Sequence, residues 1–277
     1  MTEGVVFGYA VRDPSSGRRE KMAAFASVLE RLSGIEVVVH EARTYEELST
    51  AMHGRRVDLA WLPPIPFIAL EQRDAVVALV SLHRGGQSQF HSALIVRASS
   101  PIRTYRGLHG KRAVWVDPYS ASGYVVPRIE LEALGVDPRT SFAAEKFVHS
   151  HEAVVRAVVD RTADFGATYA GLDELGAVVR GPWIPASEKM LRALYTFSAI
   201  PGDVIAARKD VPVLRRDQIA GAFLAASDDA TDRALLRELF RADECQPWWP
   251  GGYERLRAVT RDASSRGLLG AREHGYE

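Results

Sequence analysis

Apolar residues fall along this chain in two alternating patterns. Short blocks of about four to eight, rich in Val, Ile, Leu, Ala and aromatics, alternate with longer stretches where apolar positions recur every three or four residues. The first block, residues 5–9, reads as a short buried strand, and Asp13-Pro14-Ser15-Ser16-Gly17 after it is a turn cluster. Phe25, Val28, Leu29 and Leu32 then recur at helical spacing, and Gly34 ends that helix. Residues 35–39 form a second strand. Thr44, with Glu47 three residues on, is a capping box for a helix whose apolar face is Tyr45, Leu48 and Met52. Residues 57–61 form a third strand, and Pro63, Pro64 and Pro66 are expected to force a turn after it. This β-α-β-α-β order predicts a parallel sheet with helices on its faces.

Residues 75–82 and 90–96 are two more apolar runs, and the short gap at Gly85-Gly86 suits an antiparallel or returning pair. Ser99-Ser100-Pro101 breaks the pattern and is the first candidate crossing between two lobes. A second α/β series comes next: a strand at 113–116, a helix at 124–134 ended by Gly135, a strand at 142–148, a helix at 151–159 and a strand at 163–167. The halves echo each other: Arg56-Val57-Asp58-Leu59-Ala60-Trp61 comes after a helix in the first, and Thr162-Ala163-Asp164-Phe165-Gly166-Ala167 after one in the second. The echo fits shared architecture and the ordinary preference for a polar residue before an apolar strand equally well. A strand at 193–199, the turn Ile200-Pro201-Gly202-Asp203, a strand at 204–207 and helices at 219–226, 234–240 and 253–259 complete the chain. In open parallel sheets ligands bind beyond the carboxyl ends of the strands. Those ends here carry Tyr9, Trp61, residues 117–122 and Thr168-Tyr169.

At 277 residues the chain has room for two domains or one large one. Its 47% hydrophobic and 25% charged residues exclude disorder. Lys and Arg total 35, matched by 35 Asp and Glu, so the basic excess of a nucleic-acid binder is missing and no such partner is expected. A lone cysteine, Cys245, excludes an intramolecular disulfide and reads as a small buried hydrophobe. No run reaches the roughly 18 apolar residues of a membrane span. The opening Met1-Thr2-Glu3-Gly4-Val5-Val6-Phe7 lacks the basic region and long apolar core of a secretory signal. Two expectations remain open: a cytoplasmic protein, or an exported one whose leader is not part of this sequence.

The chain carries no HExxH, Walker A, GxGxxG or GxSxG motif. His149 and His151 form an H-x-H that could share a strand face, but no third metal ligand lies nearby, so solvated or hydrogen-bonded histidines are expected and no metal or cofactor. Trp248-Trp249 reads as packing for the C-terminal helices. The informative segment is Trp115-Val116-Asp117-Pro118-Tyr119-Ser120-Ala121-Ser122-Gly123-Tyr124-Val125-Val126-Pro127. It comes after a strand and opens a helix, with two hydroxyls and free backbone N–H groups at the positive end of the dipole. Gly123 is expected to let backbone approach a ligand. Pro127 would remove an early helical bond, which predicts an irregular first turn.

Asp117-Pro118-Tyr119-Ser120-Ala121-Ser122-Gly123-Tyr124 with Pro127 resembles the signature of the phosphate/phosphite/phosphonate substrate-binding proteins of ABC transporters, the PhnD-like family. So do Val57-Asp58-Leu59-Ala60-Trp61 before a proline-rich turn, and Ser92-Ala93-Leu94-Ile95-Val96 leading to Ser100-Pro101-Ile102 and then Leu108, Gly110 and Lys111. Ile200-Pro201-Gly202-Asp203-Val204-Ile205 with Arg208-Lys209-Asp210 matches the family's return segment, and the order holds from about Val5 to about Phe240.

The resemblance implies an α/β type II periplasmic-binding-protein fold whose two lobes, 1–98 with 203–277 and 99–202, close by a hinge on an oxyanion. It assigns ligand binding to Ser120, Ala121, Ser122, Gly123, His151, Asp203, Trp61, Phe90 (as an aromatic of the first lobe) and Tyr169. Two departures stand out. Ala121 occupies a position that is often threonine, and Thr168-Tyr169-Ala170-Gly171 stands where aminoalkyl-phosphonate binders place a carboxylate. The first removes one hydroxyl; the second leaves a cationic amine one acidic partner fewer, which disfavours 2-aminoethylphosphonate and favours a smaller or uncharged phosphorus oxyanion. Asp203 beside an anion would be repulsive unless it accepts a proton from the ligand, which predicts rejection of sulfate. The implied function is a non-enzymatic, monomeric solute-binding protein that serves an ABC-transporter permease or a sensor kinase. The competing expectation is a cytoplasmic enzyme on the same fold, similar to the menaquinone-pathway dehydratases or the thiamine-pyrimidine synthases. No paired carboxylates or nucleophile–base couple appear among the matched residues to support it.

Overall fold

A computed structural model of the chain describes residues 4–10, 17–184 and 189–268, so the expected turn at 13–16 lies outside the described residues. In chain order the elements begin β1 (Val5–Ala10), α1 (Arg18–Ser33), β2 (Val37–Ala42), α2 (Tyr45–His53), β3 (Leu59–Leu62), α3 (Pro64–Glu71) and β4 (Val76–His83). Next come β5 (Gln89–Arg97), β6 (Arg112–Trp115), a π-helical turn (Ala121–Val125), α4 (Val126–Ala133), β7 (Ala144–Phe147), α5 (His151–Val159), β8 (Phe165–Leu172), β9 (Val178–Arg180) and β10 (Leu191–Pro201). The chain ends with β11 (Val204–Arg208), α6 (Val213–Asp228), α7 (Ala230–Phe240), β12 (Glu244–Pro247) and α8 (Tyr253–Ser265).

The chain divides into two compact units, Met1–Gln89 with Pro201–Gly251, and Phe90–Ile200 with Gly252–Glu277. The first holds a six-stranded sheet in the order β12-β4-β11-β3-β1-β2. Its β1, β2 and β3 are parallel as expected, and β11 inserts antiparallel between β3 and β4. The second sheet runs β10-β5-β8-β6-β7, with β6 parallel to β7 and β8, and β5 antiparallel to β8.

Both expected boundaries of the first lobe move. Residues 90–98 belong to the second unit because β5 bonds along its length to β8, from His91↔Ala170 to Val96↔Phe165. The tail from Gly252 also belongs there: Arg128 Nε donates to the Leu268 carbonyl at 3.1 Å, and Arg266 pairs with Glu132. β4 and β5 do not pair as expected either. Gly85 and Gly86 take φ of 61° and 71° and close a tight reversal with one bridge, Arg84↔Gln87. The chain then leaves for the other sheet. The prolines after β3 do not make a loop: Pro64 opens α3, where a missing N–H costs nothing in a first helical turn.

Local chemistry explains the helices that the sequence predicts. Thr44 Oγ1 accepts from Glu47 N–H at 3.1 Å, and Glu47 reaches back to the N–H of Arg43 rather than of Thr44. In α1 the buried face is Met22, Phe25, Ala26 and Leu29. Phe25 lies 5.5 Å from Phe223 of α6 and 5.4 Å from Phe240 of α7, making the aromatic centre of the first unit. Trp115, Tyr124, Phe142 and Phe165 form the corresponding cluster in the second unit. Trp248 packs edge-on against Phe67, whereas Trp249 is largely exposed.

Candidate functional site

In the second unit, β6 delivers the chain to the serine-rich turn. Ser120 caps it: its Oγ accepts from Gly123 N–H at 3.0 Å. The backbone after Ser120 winds as a π-turn, with Val125 N–H donating to Ser120 O and Val126 N–H to Ala121 O. Pro127 is the physical reason. It has no N–H to give the Gly123 carbonyl, and Val116 N–H takes that acceptor instead at 3.2 Å. The Ser122 carbonyl, which Val126 would serve in an α-helix, accepts from the Ser92 hydroxyl at 2.6 Å. The irregular first turn expected from Pro127 is therefore present, with its carbonyls satisfied from β5 and from Val116, the residue after β6. The Ser122 hydroxyl itself has no hydrogen-bond partner among the described residues, although Ser122 is only 3% exposed.

Gly123 is explained differently from the expectation. A Cβ there would stand 2.3 Å from Val116 Cγ2 and 2.8 Å from Ser120 Oγ. The close approach that demands glycine is thus to Val116, just past β6, and to the cap within the turn. Ala121 is buried in the same turn.

His151 opens α5, whose cap is Ser150 Oγ accepting from Ala153 N–H at 3.0 Å. Its Nδ1 lies 2.8 Å from Thr168 Oγ1, and Tyr169 stands edge-on to its ring at 4.9 Å. Thr168 is fully buried on β8, so its hydroxyl orients the imidazole. Tyr169 pairs in register with Ser92, which ties the start of β5 to the end of β8 and to the serine-rich turn. Phe90, half-buried near the start of β5, belongs to this unit and not to the first lobe. His149 does not share a strand face with His151: it sits before α5 with φ 63°. Among the described residues no three His, Cys, Asp or Glu side chains stand together as metal ligands.

In the first unit, Val204 pairs with Leu62 and with Ser81, so Asp203 enters at the carboxyl ends of β3 and β4. Asp203 is 7% exposed, and its Oδ2 accepts from Arg84 Nη2 at 2.5 Å and from Trp61 Nε1 at 3.2 Å. Arg84 Nη2 also donates to the Phe240 carbonyl at 3.0 Å. Trp61 lies edge-on to Phe240 at 5.2 Å, and the Arg18 guanidinium sits over its ring at 5.4 Å. Tyr9 is buried and donates to Glu41 Oε2 at 2.7 Å. Burial, reinforced by Glu41, pushes the phenol well above its ordinary pKa.

The fold thus gathers Trp61 and Asp203 on one sheet edge, and Ser120, Ala121, Ser122, Gly123, His151 and Tyr169 around another. Sequence reasoning did not single out Arg84 or Ser92, and it placed Thr168 at a ligand-facing strand end without its contact to His151. Ser92 lies inside a segment that reads as a strand, and Thr168 stands just past the strand read at 163–167. Arg84 sits beside the Gly85-Gly86 reversal, but its partner is 119 residues away.

Known proteins share this architecture. The family model for the phosphonate ABC transporter's periplasmic substrate-binding protein matches residues 7–248. The phosphonates-binding periplasmic protein of Escherichia coli is 25% identical over 243 residues, which is 84% of this chain and 69% of that protein. The phosphate-import protein PhnD of Mycolicibacterium smegmatis is 24% identical over 243 residues, 84% of this chain and 74% of the relative. Among solved structures, PhnD1 from Prochlorococcus marinus in complex with methylphosphonate superposes with a TM-score of 0.75 at 17% identity, covering 95% of this chain and 99% of that one. Such likeness establishes the type II periplasmic-binding-protein fold, and the family match over most of its length places the chain among the phosphonate ABC-transporter periplasmic substrate-binding proteins.

Proposed function

We propose that this protein binds a phosphorus oxyanion (phosphonate, phosphite or phosphate) without transforming it. The observation that carries the reading is the Ser122 hydroxyl, unpartnered among the described residues in a turn whose first amides the helix cannot use. An oxyanion accepts from such donors and gains from the dipole. His151, held by Thr168, adds a ring nitrogen from the same unit.

Binding without chemistry fits the side chains involved. Among the described residues the hydroxyl against the His151 imidazole, that of Thr168, is fully buried, so it is no exposed nucleophile. The anion's tail should carry no ammonium, because Thr168-Tyr169-Ala170-Gly171 puts no carboxylate on β8. A monomer delivering its ligand to an ABC-transporter permease outside the cytoplasm is the role that accords with the family; a sensor kinase as partner would use the same binding step.

Titration calorimetry against methylphosphonate, phosphite, phosphate and sulfate tests the reading. Saturable binding of at least one phosphorus anion is expected. No heat from any of the three at millimolar concentration would overturn it.

A further inference from the structure

Arg84 holds the most informative position on the first sheet's edge. It follows β4 directly, beside the Gly85-Gly86 reversal, and its side chain is 21% exposed. Nη2 is occupied by Asp203 and the Phe240 carbonyl. Nη1 and Nε have no hydrogen-bond partner among the described residues. A guanidinium presents its donors in a rigid fork that matches two oxygens of one anion. A half-buried fork fixed at one nitrogen, with donors open, is built to receive an oxyanion.

The pairing changes what Asp203 can do. Its Oδ2 is spent on Arg84 and Trp61, and its charge is offset by the guanidinium at 2.5 Å. Its Oδ1 makes no hydrogen bond among the described residues, so the carboxylate's visible role is to hold Arg84 and Trp61 through Oδ2. A carboxylate already paired with a guanidinium is a poorer partner for a ligand ammonium, since a cation sits beside it.

We infer that Arg84, positioned by Asp203, is the first unit's anion contact and a determinant of specificity, and that it favours an oxyanion with an uncharged tail. This inference rests on the oxyanion-binding reading above. It replaces the expectation that Asp203 itself accepts a ligand proton and thereby rejects sulfate.

Calorimetry on Arg84→Gln, Asp203→Asn and the double variant, with methylphosphonate, 2-aminoethylphosphonate and sulfate, tests it. Arg84→Gln should weaken methylphosphonate roughly 10- to 150-fold, the range for a charged hydrogen bond. The same change exposes the Asp203 carboxylate, so the ratio of 2-aminoethylphosphonate to methylphosphonate affinity should rise, which loss of packing alone would not produce. Asp203→Asn should weaken methylphosphonate through a loosened Arg84 and give no gain for sulfate. Methylphosphonate bound as tightly by Arg84→Gln as by wild type would overturn the inference, as would an Asp203→Asn protein that gains sulfate. Should Arg84→Gln not fold, the double variant leaves no buried unpaired charge and is expected to show the same loss of methylphosphonate; unchanged affinity there overturns the inference equally. Wild-type protein that binds no phosphorus anion would remove the functional reading itself, which separates the two failures.

Discussion

Asp58 and Asp164 hold the same place in two different sheets. Asp58 N–H donates to Val6 O at 2.9 Å, and its Oδ2 accepts from Val6 N–H at 2.8 Å. Asp164 N–H donates to Arg112 O at 3.0 Å, and its Oδ2 accepts from Arg112 N–H at 2.9 Å. The strand pairs then run in matching register, Phe7↔Leu59 in one and Ala113↔Phe165 in the other. Each carboxylate closes the first rung of a parallel ladder, where a backbone N–H would otherwise lack an acceptor. The sequence echo therefore reflects shared architecture. The flanking charges differ: Arg208 of β11 pairs with Asp58, whereas Asp164 pairs with Arg112 itself.

This device predicts a pH signature. Burial raises the Asp164 carboxyl, but hydrogen bonds from the Arg112 side chain and backbone outweigh it, and the net pKa lies below the ordinary value. A depressed folded-state pKa contributes stability that is present above the unfolded value of about 3.9 and is lost as pH falls through the folded value. Asp164→Ala should cost about 1–3 kcal/mol near neutrality by orphaning the Arg112 donors. Urea unfolding of variant and wild type should converge below about pH 4. A gap that stays constant on acidification would assign the cost to packing.

The two serines of the turn should separate. Ser122→Ala removes a hydroxyl with no partner among the described residues, so thermal stability should barely change while anion affinity falls roughly 10- to 150-fold. Ser120→Ala removes the cap on Gly123 and should lower stability by about 1 kcal/mol. Calorimetry beside thermal melts reads both. The reverse pattern would move the ligand hydroxyl to Ser120.

Gly123→Ala tests why that glycine is there. The new Cβ would lie 2.3 Å from Val116 Cγ2, so overpacking should cost about 1–3 kcal/mol even without ligand. Val116→Ala should relieve it only in part, because Val116 Cβ is itself 2.7 Å away. A Gly123→Ala protein as stable as wild type, but unable to bind anion, would return the glycine to the ligand-approach role.

Cys245 should be inert. It is 3% exposed on β12, and burial, with a smaller push from Glu244, drives its thiol up to about 12. A thiol reagent at about pH 8 should label it only on denaturation, since the thiolate is the reactive form. Stoichiometric labelling of the native protein within minutes would mean that β12 opens.

The linear sequence determined the local decisions. The apolar blocks placed most of the strands, Thr44 and Glu47 started α2, and Pro127 dictated an irregular turn, because each depends on residues within one or two helical turns of each other. The prolines after β3 misled because an N–H they lack is one that the first turn of a helix does not need. The resemblance, carried by ordered segments, pointed to the serine-rich turn and His151. Tertiary structure alone decided which sheet a strand joins: β5 looked like the partner of β4 across a glycine reversal and instead bonds to β8. It alone brought Arg84 to Asp203, Thr168 to His151 and Ser92 to the turn. A strand's period says which face is apolar but not which edge finds a neighbour, and a side chain's chemistry does not reveal the residue it meets from across the chain.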